Sequence, residues 1–526
     1  MSQKLLPLSR RRLLQGALAG AGIAAGGLPL AGAASAQQAP RRGGVLRVSV
    51  TQRVATLNPL RHINNPEYMA SELLYSGLTM LGASMNAEPD LAERWEANAE
   101  ATEFTFHLRR GVKFHHGPEV TAADAAATIM AVLDPKTASP GQKNIGPIKE
   151  AKAVDSHTLK VVLTGPFADL PVNMAHPNVR VAPAEILARD VRLLDNADHG
   201  CGPFKLVRFE SDRALRVERY DGYHFPGRPY VDAVEQILYP DVAAETAAII
   251  NGETDIVLSG QPAEWDRIGK ATGVVAARAQ SGRFHNVVMR CDAPPFNDAR
   301  VRRALALSLD REAIVQLVLE GLGRPAYDNP VSPEYRFAAA TPPFKRDVAQ
   351  AKRLLAQAGH PNGLKITLQC ANRPTTRTAL GVAMREMARP AGFDIDVQTI
   401  PYDTYIANVW RKANFYIGSF NTQATEDALY TLLFTSDAPW NDSQWNNKRF
   451  DELVYQGRRT IDPAKRKELY AGAQKLMTDE LPYLIPFFED LLSARRTYVQ
   501  GHTLHPRGGV FFMDRVWLGD GAPKRA

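Results

Sequence analysis

The chain has 526 residues, 45% of them hydrophobic and 23% charged, with a formal net charge of +7. That length exceeds what a single core normally supports, so two or more domains are expected. Mixed charge without a long basic run argues against a nucleic-acid surface. Cys201, Cys291 and Cys370 show no CxxC spacing, which argues against a cysteine-ligated metal or a redox pair.

At the N-terminus, Ser9-Arg10-Arg11-Arg12-Leu13-Leu14-Gln15 has the layout of a twin-arginine export signal, and Ala34-Ser35-Ala36 has the small-x-small form of a cleavage site. The apolar run between them is glycine-broken and contains Pro29, so it is too weakly hydrophobic for a membrane anchor. No cysteine lies there to carry a lipid. Cleavage after Ala36 would remove four cations (Lys4, Arg10, Arg11, Arg12) and take the net charge from +7 to about +3. The expected product is an exported, soluble chain starting at Gln37. An odd number of cysteines leaves at least one thiol unpaired; one disulfide is possible, with no pairing assigned.

In chain order, Val45-Leu46-Arg47-Val48-Ser49-Val50 reads as a strand followed by a turn at Asn58-Pro59. Phe104, Phe106 and Leu108 alternate with Thr105, His107 and Arg109, the two-residue period of a half-buried strand. Gly111 and Gly117-Pro118 mark turns, and Thr121 with Asp124 forms a capping box that predicts a helix start. Leu159, Val161 and Leu163 predict a second strand face. A glycine turn at Gly200-Cys201-Gly202-Pro203 comes next, then strands near 234–239 and 254–257.

The second half alternates helices and strands more regularly. Asp298 and Asp310 are placed to cap helices, the second ending at Gly321. Asp347 with Gln350 predicts a capped helix whose stripe is Val348, Ala351, Leu354, Leu355 and Ala358. Strand 364–370, helix 377–389 and strand 393–399 read as a βαβ unit, and Asp462-Pro463 starts a late helix. Alternation in both halves predicts two α/β lobes.

Several strings carry a resemblance. LAERWE from Leu91, FTFHLRRGVKFHHG from Phe104 and TAAD from Thr121 resemble the signature of the family 5 extracellular solute-binding proteins, the peptide and nickel receptors of bacterial ABC importers. Gly200-Cys201-Gly202-Pro203-Phe204 resembles the family's GTGPF turn, with cysteine in place of threonine. Tyr220-Asp221-Gly222-Tyr223, the helix entry from Phe296 to Leu305 with Asp310-Arg311, the AKxLLxxAG-like helix from Ala351 to Gly359, and NDSQWNNKRFD from Asn441 extend the likeness across most of the chain.

The resemblance implies an α/β fold: a bilobal periplasmic-binding-protein clamshell of two mixed lobes with a hinge of two crossing segments. The first lobe would comprise residues 37–58, 181–277 and 484–526, an extra domain inserted in it would span 59–180, and the second lobe 278–483. The implied role is a periplasmic receptor that closes on a small peptide by hinge motion and delivers it to ABC transporter permease subunits, after export by the twin-arginine translocase. No cofactor, no nucleic-acid partner and no enzymatic activity are expected, and the receptor would act as a monomer.

For the solute, the resemblance points to a carboxylate in a loop after a second-lobe strand. Asp427 is the first choice to grip a ligand ammonium and Glu426 the second; Asp427 also suits a cap for a helix starting at Ala428, and the two roles are compatible. The loop lacks the family's usual aspartate-proline form, which sets a dipeptide ligand in question. Phe420, Trp440, Asn441 and Trp445 suit an aromatic, sequence-tolerant pocket, against the alternative of core packing by the tryptophans. Tyr402 and Arg373 follow the ends of neighbouring strands, where α/β lobes place ligand loops, and Asn58 follows the first strand. His115 and His116 are consecutive on a turn and read as solvated rather than metal-binding. The alternatives are a non-peptide solute (an opine, an oligosaccharide or a chelated metal) and, more remotely, an exported hydrolase, for which no GxSxG, HExxH or GxxxxGK[ST] string is present.

Overall fold

The structure is a computed structural model that describes residues 39–525. The export signal expected over residues 1–36 lies outside the described residues. Among the described residues no helix is long and apolar enough to cross a membrane.

The chain builds two α/β lobes on one continuous, mixed sheet of twelve strands. In the first lobe Val45–Val50 runs parallel to Ala233–Leu238 and to Ile256–Val257, with Ala214–Arg219 and Phe204–Glu210 added antiparallel at the edge. In the second, Leu364–Ala371 runs parallel to Phe393–Ile400 and Phe415–Phe420. Two long strands join the halves. Val274–Met289 pairs antiparallel with Phe487–Arg496, and its register breaks between Ala279 and Arg283. At that break an added Cβ on Gly282 would stand 3.0 Å from Ser332, Tyr335 and Thr422 atoms, so only glycine fits the crossing without displacing them.

A separate four-stranded antiparallel sheet contains Ala92–Ala97, Glu103–Leu108, Thr158–Leu163 and Ile148–Asp155. The predicted alternation holds there: Phe104, Phe106, Leu108, Leu159, Val161 and Leu163 are buried on one face. The helix Ala122–Leu133 closes that face, and Thr121 N donates to Asp124 Oδ2 at 2.8 Å as the capping box requires. One hydrophobic core runs through this sheet and the first lobe, and two further cores pack in the second, one around Val287, Leu305 and Leu368 and one around Val288, Tyr416 and Tyr430.

The second-lobe helices start where their caps predict. Asp298, Asp310, Asp347 and Asp462 each accept a backbone N–H of the first turn. The helix after Asp310 spans Arg311–Leu319 and ends on Glu320 in the left-handed region at φ 53°, one residue before Gly321. Leu364–Ala371, Thr376–Ala388 and Phe393–Ile400 form the predicted βαβ unit.

One local expectation changes, and the open disulfide question closes. His115 is not solvated: its ring is buried, with Nδ1 2.8 Å from Asp198 Oδ1 and Nε2 3.0 Å from the Gly202 carbonyl. The partner that buries it lies 83 positions away, beyond any local pattern. All three cysteines are free thiols. Burial pushes Cys201 up to about 12, which makes it an inert packing residue.

Candidate functional site

The three parallel strands of the second lobe end together, and their C-terminal ends place four of the candidate residues side by side or on adjoining elements. After Leu364–Ala371 comes Arg373; after Phe393–Ile400 comes Tyr402; Phe420 ends Phe415–Phe420. The Arg373 guanidinium lies 5.2 Å from the Tyr402 ring centroid. Phe420 packs against Trp440 at 6.1 Å between centroids, and Trp440 meets Trp410 edge-on at 5.5 Å. Arg373 is exposed, while Tyr402, Phe420, Trp410 and Trp440 are half-buried. Open strand ends of a parallel sheet are where α/β proteins bind ligands, because the loops there are free to vary.

Arg377, unforeseen as a site residue, sits beneath this group. It lies in the first turn of Thr376–Ala388, donates from Nη2 to Ser419 Oγ at 2.6 Å, and stacks over Tyr405 and Tyr402 at 5.3 and 5.9 Å. Its Nε and Nη1 are buried without a hydrogen-bond partner. Buried guanidinium donors left unsatisfied are costly, so they favour an incoming acceptor. In sequence the residue reads as an ordinary first-turn helix cation. Only the strand-end position after 371 hinted otherwise.

The other candidates are engaged inside the protein. Asp427 is buried and accepts from Arg458 Nε at 2.9 Å and Nη2 at 3.0 Å. The helix it belongs to spans Glu426–Leu433 and is capped by Thr425, whose hydroxyl accepts from Ala428 N. So the expected cap at Asp427 moves two residues earlier. Glu426 is fully buried and accepts from Phe337 N at 2.6 Å. Asn441 donates to the carbonyls of Thr435 and Trp445, and the Trp445 indole donates to Glu480 at 2.7 Å. Asn58 caps the short turn Pro59–Arg61 and donates to Val191 O at 2.9 Å. These five have protein partners; Arg373, Tyr402, Phe420 and Trp440 keep open faces.

Asp442, under the tryptophan segment, has a distinctive electrostatic state. It is 3% exposed, Arg411 Nε is 3.9 Å away, and the Tyr416 hydroxyl and Arg411 oppose its burial only in part. Burial pushes its carboxyl up to about 7. In the unfolded chain it would titrate near 4. Between those values the folded state holds the extra proton, so stability falls as pH rises through this window. Asp442→Asn is expected to remove that penalty: its gain over wild type in urea unfolding should be absent at pH 4 and reach roughly 2–4 kcal/mol at pH 8. Equal gains at both pH values would show that Asp442 is charged throughout.

Among the described residues no group of three His, Cys, Asp or Glu side chains is arranged to hold a metal. The chemistry on offer is aromatic faces, guanidinium donors and backbone at strand ends. That set is suited to holding a polar, partly apolar solute.

Comparison with known proteins bears on the family and the fold. The family model for bacterial extracellular solute-binding proteins, family 5 (middle), matches residues 86–442. The glutathione-binding protein GsiB of Escherichia coli strain K12 is 26% identical over 479 residues, spanning 89% of this chain and 93% of that protein. The structure of the substrate-binding protein CtaP of Listeria monocytogenes superposes with a TM-score of 0.81 at 22% identity, covering 91% of this chain and all of that one. The periplasmic binding protein DppA of Helicobacter pylori, in complex with the peptide STSA, superposes with a TM-score of 0.72 at 22% identity, covering 91% and 99% of the two chains. The two structural likenesses are likenesses of fold.

Proposed function

The chain belongs to the bacterial extracellular solute-binding proteins of family 5, and from that premise we propose that it captures small peptides between its two lobes and delivers them unchanged to the permease of an ABC importer. The observation that carries this reading is the convergence of Arg373, Arg377, Tyr402, Phe420 and Trp440 at the ends of three parallel strands. Aromatic faces hold side chains without regard to sequence, and the unpartnered Arg377 donors suit peptide carbonyls. A relative named for glutathione, itself a peptide, and a structural neighbour holding a tetrapeptide support the same solute class.

Capture requires two lobes that move. We place the hinge at the crossing strands Val274–Met289 and Phe487–Arg496, with the first lobe at 37–58, 181–277 and 484–526, the second at 278–483, and the extra domain at 59–180. The register break beside Gly282 supports this placement, since a break in pairing is where a strand pair bends most easily. In this reading Asp427, Glu426, Asn441, Trp445 and Asn58 brace the scaffold, and the solute meets Arg373, Arg377, Tyr402, Phe420 and Trp440. Export as a folded monomer through the twin-arginine translocase, with removal of residues 1–36, would place the receptor in the periplasm.

One preparation tests the proposal. The full chain, expressed in a bacterium with twin-arginine export and isolated from its periplasm, should begin at Gln37 and release a peptide on denaturation, identified by mass spectrometry. Trp440→Ala with Arg377→Gln should weaken rebinding of that peptide by about tenfold or more. Release of an opine, an oligosaccharide or a chelated metal instead of a peptide would overturn the solute assignment.

A further inference from the structure

Arg507 lies in the segment after the short strand Val499–Gln500. Several arginines of the interior meet carboxylates: Arg180 faces Glu72 and Asp90, Arg336 and Arg466 share Asp169, and Arg458 holds Asp427. The half-buried guanidinium of Arg507 meets none. Among the described residues it has neither an ion pair within 4.0 Å nor a hydrogen-bond acceptor.

Its position is defined by its neighbours. Gly509, at φ 66°, would bring an added Cβ within 3.3 Å of the Tyr68 ring, 3.4 Å of Asn65 Oδ1 and 3.8 Å of Arg507 Nη1, so the guanidinium lies beside the helix Asn65–Leu74 of the first-lobe core. Pro506, the preceding residue, accepts from Thr422 Oγ1 of the second lobe at 3.3 Å, and Thr422 in turn accepts from Gly282 N at the crossing strands. Arg507 therefore stands where both lobes and the crossing strands meet, next to the loop after Phe420.

Several groups near it offer protons. Tyr335 Oη accepts from Gln423 N at 2.9 Å, which leaves its own proton free. Among the described residues the Tyr68 hydroxyl has no hydrogen-bond partner. Burial pushes His176 down to about 3, helped by Arg507, so the ring is neutral; Nδ1 accepts from Asn178 N and the proton sits on Nε2. Glu72, whose charge is felt at Arg507, gives Oε2 to the Phe511 and Phe512 amides at 3.0 and 3.2 Å and turns Oε1 toward Arg180 at 3.7 Å.

We propose that Arg507, with the hydroxyls of Tyr68 and Tyr335, forms a seat for a carboxylate group of the captured solute. This deepens the solute-capture reading and rests on it. A half-buried guanidinium without a carboxylate partner is open to an anion, because a charge-assisted fork to carboxylate is strong and directional. Tyr335 belongs to the second lobe and Tyr68 to the first-lobe core, so a carboxylate held by both favours the closed arrangement.

The experiment compares acids with their amides on the full chain. Calorimetry and thermal shift are run with tri-alanine and tri-alanine amide, and with glutarate and glutaramide. At least one acid should bind wild type about tenfold or more tighter than its amide. Arg507→Gln should abolish that difference, and Tyr68→Phe should reduce it, while the melting temperature of unliganded Arg507→Gln stays level or rises. Glutarate discrimination without any tri-alanine binding supports the seat and refutes the peptide assignment. Equal binding of tri-alanine and its amide supports peptide capture and overturns the seat. The seat is also overturned if no acid binds, if Arg507→Gln keeps the preference, or if that variant is strongly destabilised without ligand.

Discussion

Asp169→Asn is expected to destabilise the protein by about 3–5 kcal/mol, because it strands two buried arginines. Asp169 is 1% exposed and receives Arg336 Nη2 on one oxygen and Arg466 Nη2 on the other, the latter at 2.7 Å. Burial works to raise its carboxyl, but Arg336 and Arg466 overcome this and hold it well below the usual carboxylate range. The Arg466 bond ties the segment after Phe167 to the helix Pro463–Glu480, the Arg336 bond ties it to the segment before Phe337, and Ala168 N to Arg458 O at 2.8 Å runs alongside. Because the folded carboxyl titrates below its unfolded value near 4, its stabilisation is complete above that pH and fades as pH falls toward the folded value. Urea unfolding of wild type should therefore weaken on acidification below about pH 4, and Asp169→Asn should lose that part of the acid dependence. A loss under about 1 kcal/mol at pH 7 would mean that solvent or another acceptor satisfies both arginines.

The second large effect is steric. Gly200→Ala would put a Cβ 1.7 Å from the Leu74 carbonyl oxygen and 2.6 Å from its carbon, both backbone atoms at the end of the helix Asn65–Leu74. Gly202 is as confined, with Leu74 C and Tyr75 N each 2.6 Å from its added Cβ. Backbone cannot swing aside as a side chain does, so the turn would have to lift off the helix and break the 2.9 Å bond from Gly202 N to Leu74 O. Gly200→Ala is expected to cost about 3 kcal/mol or more, read as a lower denaturation midpoint. Gly165→Ala is the control: nothing lies within 4 Å of its added Cβ, and its midpoint should hold to within about 0.5 kcal/mol. Equal behaviour of the two variants would remove close packing as the reason for glycine at position 200.

Much of the fold is legible locally. Phe104, Phe106 and Leu108 alternate and are buried as a strand face, and Asp298, Asp310, Asp347 and Asp462 begin helices, because side-chain period and first-turn capping act within four residues. The candidate site is half legible for the same reason. Arg373, Tyr402 and Phe420 stand at strand ends that local spacing marks, and those strands run side by side. Asp427 marks the limit. Its loop position suggests an open carboxylate, but Arg458, 31 residues on, occupies it. Trp445 likewise spends its indole N–H on Glu480, 35 residues away.

By itself the sequence determined the family strings, the two-lobe alternation of strands and helices, and the caps that begin the second-lobe helices. All of these are written in short-range spacing. Which polar groups have partners was decided only by the tertiary structure. A charge is free or spent according to what folds against it, and that partner lies 31 positions from Asp427, 83 from His115 and nowhere among the described residues for Arg507.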